Sequence, residues 1–166
     1  MPSTDVRIPL RNRYGDVVEW ATVDVADAHL VDEFNWHLKH GYASRNQKRP
    51  DGPGHYFMPM HRQILGLEPS DGWTVDHLDR DRLNNRRVNL RKCTKAENAQ
   101  NRPSHGGRSK YRGVGWNEAR GLWVAYGGTN RERTYLGAFE DEDEAGRVAA
   151  EWRRVNMPFS VEAKAA

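Results

Sequence analysis

"DGWTVDHLDRDRLNNRRVNLRKCTKAENAQNR", residues 71–102, runs through strand-like, loop-like and helix-like sequence in quick succession. Trp73 and Val75 alternate with Thr74 and Asp76, the two-residue period of a half-buried strand, which predicts a strand ending at His77. "LDRDRLNNRR" is too rich in Asp and Asn for regular structure, because these side chains bond to neighbouring backbone groups and favour turns. "VNLRKC" then reads as a second strand. Thr94 stands three positions before Glu97, the capping-box spacing that starts a helix, and Pro103 ends it. Strand, loop, strand and helix make a ββα unit, with Trp73, Val75, Val88, Leu90, Ala96 and Ala99 available to pack it.

That order of elements brings the end of the first strand towards the first turns of the helix. Asp76 and His77 then face Asn98, with Asn89 behind them on the second strand. A carboxylate and a carboxamide oxygen are hard ligands that leave most of a Mg²⁺ shell to water and a substrate phosphate. A neutral imidazole beside such an ion takes a proton from water. The expected chemistry is phosphodiester hydrolysis. Taken singly, each residue has a plainer reading: the Asp-His pair as a surface turn, Asn84 and Asn85 serving the loop backbone, Asn89 capping a turn, His61 anchoring the unit, Cys93 filling core. Their joint occurrence in this order favours the hydrolytic reading.

Outward from this stretch, residues 1–60 form an N-terminal β-rich module, with strands at "RIPL", "VVEWATVDV", "GYASR" and "HYFMPM". Between them "DAHLVDEFNWHL" places Leu30, Val31 and Phe34 at helical spacing. Residues 61–102 hold a short helix at "HRQILG" and the ββα unit; 103–109, "PSHGGRS", read as a linker. Residues 110–158 predict three strands and a helix that buries Ala145, Val148, Ala149, Trp152 and Val155 on one face. The fold class is therefore α+β: a small β-rich module, a ββα unit, and a three-stranded antiparallel sheet packed on one helix.

Composition narrows the partners. With 37% hydrophobic and 30% charged residues, two or three small modules fit better than one thick core. A single cysteine excludes a disulfide framework and a multi-cysteine zinc cage. No apolar run approaches a membrane span, and "MPSTDVRIPLRNRYG" lacks the apolar start of a signal peptide, so the expectation is a cytoplasmic protein without a membrane partner. Residues 61–110 carry 11 Lys and Arg against 6 Asp and Glu, whereas the segments before and after are each slightly acidic. The acids of the last segment crowd at Glu140–Glu144, the first turn of its helix, where the dipole favours them and leaves the sheet arginines for phosphates.

At "MHRQILGL…VDHLDRDRLNNRRVNLRKCTKAENAQN" the sequence resembles the HNH endonucleases, in their homing-endonuclease branch. The spacings agree: Asn89 lies 12 positions after His77, and Asn98 lies 21 after it. The resemblance implies that His77 is the general base and that Asn89 completes the catalytic set by holding the loop and the histidine. It further implies that Asp76 and Asn98 bind the metal, Mg²⁺ or Mn²⁺. The family's third letter is Asn here rather than His, which favours an all-oxygen site without structural zinc. The N-terminal "VDVADAHLVDEFNWHLKHGYASR" is similar to the leader of phage-type nucleases of this architecture.

The last module, through "YRGV", Trp123, "YLGAF" and "EAGRVAAEW", resembles the Apetala-two (ethylene-response-factor) DNA-binding domain. That resemblance carries DNA contacts onto Arg112, Trp116, Arg120, Trp123, Tyr126, Arg131 and Arg133, with Trp123 equally readable as core. Gly115, Gly127 and Gly128 depart from that family, where longer or basic side chains are frequent. The expectation is a metal-dependent homing-type DNA endonuclease acting as a monomer on double-stranded DNA in a prokaryotic or phage-infected cell. The alternative is a DNA-binding regulator with a degenerate nuclease scaffold.

Overall fold

The computed structural model describes residues 4–102, 107–129 and 132–161, and they form the expected α+β arrangement of small antiparallel sheets and few helices. The chain divides into two units, residues 1–94 and 95–166, so the division falls within the 61–102 segment.

In the first unit β1 (Asp5–Arg11) pairs with β2 (Val17–Asp24), and the register sets Ile8 opposite Ala21 and Val6 opposite Val23. Alternation turns Ile8, Leu10, Ala21 and Val23 to one face, where they are buried, while Arg7, Trp20 and Glu19 meet solvent. A second sheet follows as β3 (His37–Lys39), β4 (Tyr42–Lys48) and β5 (His55–Pro59). The β3–β4 turn has two residues, His40 and Gly41, both at positive φ, the geometry whose twist matches that of paired strands. Helix α1 (Met60–Ile64) leads to β6 (Thr74–His77), which pairs with β7 (Leu90–Cys93). One apolar core takes residues from β1, β2, β4, α1, β6 and β7 and from the turns between them, among them Leu10, Val23, Trp36, Met60, Val75 and Leu90. Trp36 is 1% exposed, and its indole N–H donates to the Val31 carbonyl at 2.7 Å, so the ring is buried without an orphaned donor.

Polar ties fasten the 83–87 segment to the end of β2. Thr22 donates its N–H to the Leu83 carbonyl at 2.8 Å, and Asn85 returns an N–H to the Thr22 carbonyl at 2.7 Å. Asp24 accepts from the Arg86 side chain and from the Arg87 backbone, each at 2.8 Å, and Asp27 pairs with the Arg87 guanidinium at 2.8 Å.

The second unit opens with α2 (Lys95–Gln100) and contains β8 (Val114–Asn117), β9 (Leu122–Thr129) and β10 (Glu132–Phe139), with β9 central and all pairs antiparallel. Helix α3 (Glu142–Asn156) packs on this sheet through fully buried Ala145 and Ala149 against Ala125. Asp141 caps α3, its carboxylate accepting from the Asp143 N–H at 2.9 Å, and Glu142, Asp143 and Glu144 occupy the first turn as expected. Gly127 explains the close approach: a Cβ there would lie 2.3 Å from the Trp152 ring.

Several local expectations are corrected. "DAHLVDEFNWHL" forms a 3-10 turn over Val25–Leu30 instead of a helix through Phe34; Val31 enters the core while Phe34 stays exposed beneath the Arg45 guanidinium. Val88 is 77% exposed and Trp73 is also exposed, so neither packs the ββα unit; the Trp73 ring instead lies under the Lys92 ammonium. Val155 is exposed, because the face of α3 that meets the sheet ends with Arg153 and Met157. No described helix is long and apolar enough to cross a membrane.

Candidate active site

His77 is the last residue of β6, opposite Leu90 of β7, and is 5% exposed. Two rings and one amide lie against its imidazole. The His61 ring of α1 meets it edge-on at 5.1 Å between centroids, and the Tyr42 ring of β4 lies at 5.9 Å; Tyr42 and His61 also touch, at 5.2 Å. The Asn85 Oδ1 lies 3.5 Å from His77 Nε2, a long contact at the outer edge of hydrogen bonding, of the kind that tightens when a substrate is bound.

The orientation of the Asn85 amide follows from its other end, which donates Nδ2–H to the Leu83 carbonyl at 3.0 Å. Its backbone is held on Thr22. The Asn85 oxygen is thereby the end of the amide turned to His77 Nε2, an acceptor for an Nε2–H. Burial pushes the His77 pKa below its usual value, against the pull of Asn85 and of the carboxylates of Asp79, Asp76 and Asp81. The imidazole is then neutral at pH 7, the form a proton acceptor requires.

Asp76 precedes it, 5% exposed, with its Oδ2 2.5 Å from the Arg91 guanidinium across the β6–β7 ladder. Asn89 is buried and spans the intervening loop. Its Oδ1 accepts the Asp79 N–H at 3.0 Å, and its Nδ2 donates to the Asn84 carbonyl at 2.7 Å. Its own carbonyl accepts the Leu78 N–H at 2.9 Å, so it closes the loop on the residue that follows His77. Asn98 is half-buried on α2, in the second unit.

The structure thus gathers Asp76, His77 and Asn89 around one strand end and adds three side chains that sequence reading gave other roles or none: Asn85, His61 and Tyr42. His61 is buried, its Nδ1 has no hydrogen-bond partner among the described residues, and its pKa is lowered to about 3 by burial, then by His77 and Arg62. Among the described residues no three His, Cys, Asp or Glu side chains gather as a metal cage. A carboxylate with a carboxamide oxygen is a donor set that suits a hard divalent cation and leaves the remaining positions to water and phosphate.

In the second unit the sheet has two unlike faces. Trp123 and Trp116 oppose each other in the ladder with ring centroids 5.0 Å apart, and Trp123 packs against the alanine core beneath α3. The alternate residue, Tyr126, lies on the opposite face with Arg133, whose guanidinium sits 3.6 Å above its ring, and with Tyr135 at 6.0 Å. Arg120 is exposed in the β8–β9 turn. Arg112 is not left open to solvent: its guanidinium donates to the carbonyls of Gln100 at 2.5 Å and Arg102 at 2.8 Å, at the end of α2. Arg131 lies outside the described residues.

Residues 60–100 match the model of a family described as HNH endonuclease, a span that runs from α1 to α2 and includes every residue of the site above except Tyr42. The match supports an HNH nuclease, a hydrolase acting on DNA, in this part of the chain. No curated protein and no solved structure matches the chain.

Proposed function

We propose that the chain is a homing-type DNA endonuclease that depends on Mg²⁺ or Mn²⁺, with His77 as general base and the second unit as its DNA-recognition module. The observation that carries this reading is the setting of His77: buried, its pKa lowered by that burial, with Nε2 turned to an amide oxygen, inside the segment that matches the nuclease family. His77 Nδ1 takes a proton from water as the water oxygen bonds to phosphorus in line with the 3′ oxygen. The P–O3′ bond breaks, the 3′ oxygen takes a proton from solvent water, and the products carry a 5′ phosphate and a 3′ hydroxyl. Asp76 and Asn98 are the residues that would hold the cation. When bound there it supplies neutralisation of the scissile phosphate and of the departing oxygen. Asn89 keeps the loop closed behind His77, and Asn85 keeps its tautomer.

Recognition is assigned to the outer face of the β8–β10 sheet, where Arg133 over Tyr126 is poised for phosphate or base edges, with Arg120 in the β8–β9 turn. The resemblance to the Apetala-two domain supports this face, and the sheet-on-helix layout is compatible with it.

Incubation with supercoiled plasmid, with Mg²⁺ and with EDTA, tests the proposal. Conversion to nicked or linear DNA with Mg²⁺ and none with EDTA is the expected result. Intact plasmid under both conditions, by a protein that still retards DNA, would leave a DNA-binding regulator in its place.

A further inference from the structure

Arg82 stands out among the arginines around the site by what it is not bound to. Arg62, Arg86, Arg87 and Arg91 are each paired with a carboxylate, on Asp71, Asp24, Asp27 and Asp76 respectively. Arg82 has no carboxylate within ion-pair distance among the described residues. The acids beside it in the loop are occupied: Asp79 accepts from the Asp81 N–H at 2.8 Å and from the Asn84 amide at 2.7 Å, and Asp81 accepts from the Leu83 N–H at 2.9 Å.

Arg82 is nevertheless held. The β3–β4 hairpin provides a seat from three consecutive residues. The His40 carbonyl accepts from Arg82 Nη1 at 3.1 Å, and the Tyr42 ring lies under the guanidinium at 4.8 Å. Gly41 leaves the gap between them, because a Cβ there would come within 3.3 Å of Nη1 and 3.5 Å of Cδ. The same Tyr42 ring touches His77 and His61 with the rest of its surface. One aromatic side chain therefore sets an exposed, uncompensated cation beside the buried base.

We infer that Arg82 is the phosphate-binding cation of the His77 site, preset by the β3–β4 hairpin to take a DNA backbone phosphate at or next to the one being cleaved. This rests on the nuclease reading for its consequence in cleavage, but not for its consequence in binding. A guanidinium has five N–H donors in a planar fork, and the His40 carbonyl uses one; the fork suits two phosphate oxygens at once. Stacking on Tyr42 fixes the plane while leaving the N–H edges open, so little side-chain freedom remains to be lost on binding.

The test uses the full chain with Arg82→Gln and Arg82→Lys. Affinity for a duplex is measured in EDTA over a range of salt concentrations, and single-turnover cleavage with Mg²⁺. Arg82→Gln is expected to flatten the slope of log K against log salt by about 0.9, one phosphate contact, and to slow cleavage about 100-fold. Arg82→Lys keeps the charge but not the fork, so it should restore the slope and only part of the rate. An Arg82→Gln slope equal to that of the parent overturns the proposal, whatever happens to cleavage; a mere fastener of the hairpin would lower the melting temperature and leave the slope alone. Should the parent fail to cut DNA, the nuclease reading falls, and the slope still decides the role of Arg82.

Discussion

Two buried imidazoles in contact make pH the natural probe at the scale of single residues. His61 has a folded pKa of about 3 against about 6.5 when unfolded, so between those values the unfolded chain binds the extra proton and stability falls as pH falls. The stabilisation from a neutral His61 is complete well above pH 6.5 and drains away as pH falls through and below it, by about 2 kcal/mol between pH 6.5 and 4.5. Denaturant unfolding at both pH values should show that loss in the parent and clearly less in His61→Phe, which keeps an aromatic ring and removes the titration. Equal losses in the two proteins would place the acid sensitivity elsewhere. For catalysis, the lowered His77 pKa means that cleavage should hold constant on going from pH 8 to 7 and fall only with a midpoint below 6.5. Asp76, His77 and Asn89, which meet at one strand end, could be picked out because their order and spacing are sequence properties, whereas Asn98 stands on the family resemblance alone. Asn85 was not: adjacent Asn84 and Asn85 look alike in a loop, and only the tie of the Asn85 backbone to Thr22 turns its side chain inward to His77. Nor did any local signal bring His61 and Tyr42 to the same imidazole, since both reach it by long-range packing.

At the scale of elements, turns and alternation made most strands readable, and the errors fell where side-chain periodicity is shortest. Leu30, Val31 and Phe34 have helical spacing, but one buried contact, Val31 with its carbonyl on the Trp36 indole, decides the segment and closes it as a 3-10 turn. Val88 looked like an inward strand residue, yet β7 begins two positions later and a 3-10 turn over Arg87–Asn89 turns it outward. Helix α3 was better specified, because its cap, its acidic first turn and its alanines agree. Asp141→Ala should therefore lower stability by about 1 kcal/mol, read from the denaturant midpoint. Gly127→Val should cost more, about 1–3 kcal/mol or loss of the fold of this unit, since Trp152 already fills the space of the new side chain. A Gly127→Val protein as stable as the parent would mean that α3 does not seat as closely on β9 as described. That glycine departs from the long or basic residues of the resembled DNA-binding family, and the helix contact gives a packing reason for it.

At the scale of the whole molecule, the two ligands that the family resemblance implies are tested one at a time, Asp76 in the first unit and Asn98 in the second. Asp76→Ala and Asn98→Ala should each raise the Mg²⁺ concentration needed for cleavage or abolish it, while binding in EDTA stays near that of the parent. Recognition is assigned to the other end of the sequence: Arg133→Ala should weaken DNA binding and flatten its salt dependence by about 0.9 with the metal requirement unchanged. Segment charge pointed to DNA through the basic stretch at residues 61–110, but Arg62, Arg86, Arg87, Arg91 and Arg108 are paired with carboxylates of the chain itself. Net charge in a segment could not distinguish those from Arg82. The central claim is that His77 acts as a proton acceptor and not as a binding group, and single-turnover cleavage by His77→Ala, with duplex affinity measured in parallel, addresses it most directly. The rate should fall by about 10²–10⁴ with affinity within a factor of two or so of the parent, the scale of a lost general base; a variant that cuts as fast as the parent, or that loses cleavage only because it no longer binds DNA, would contradict it.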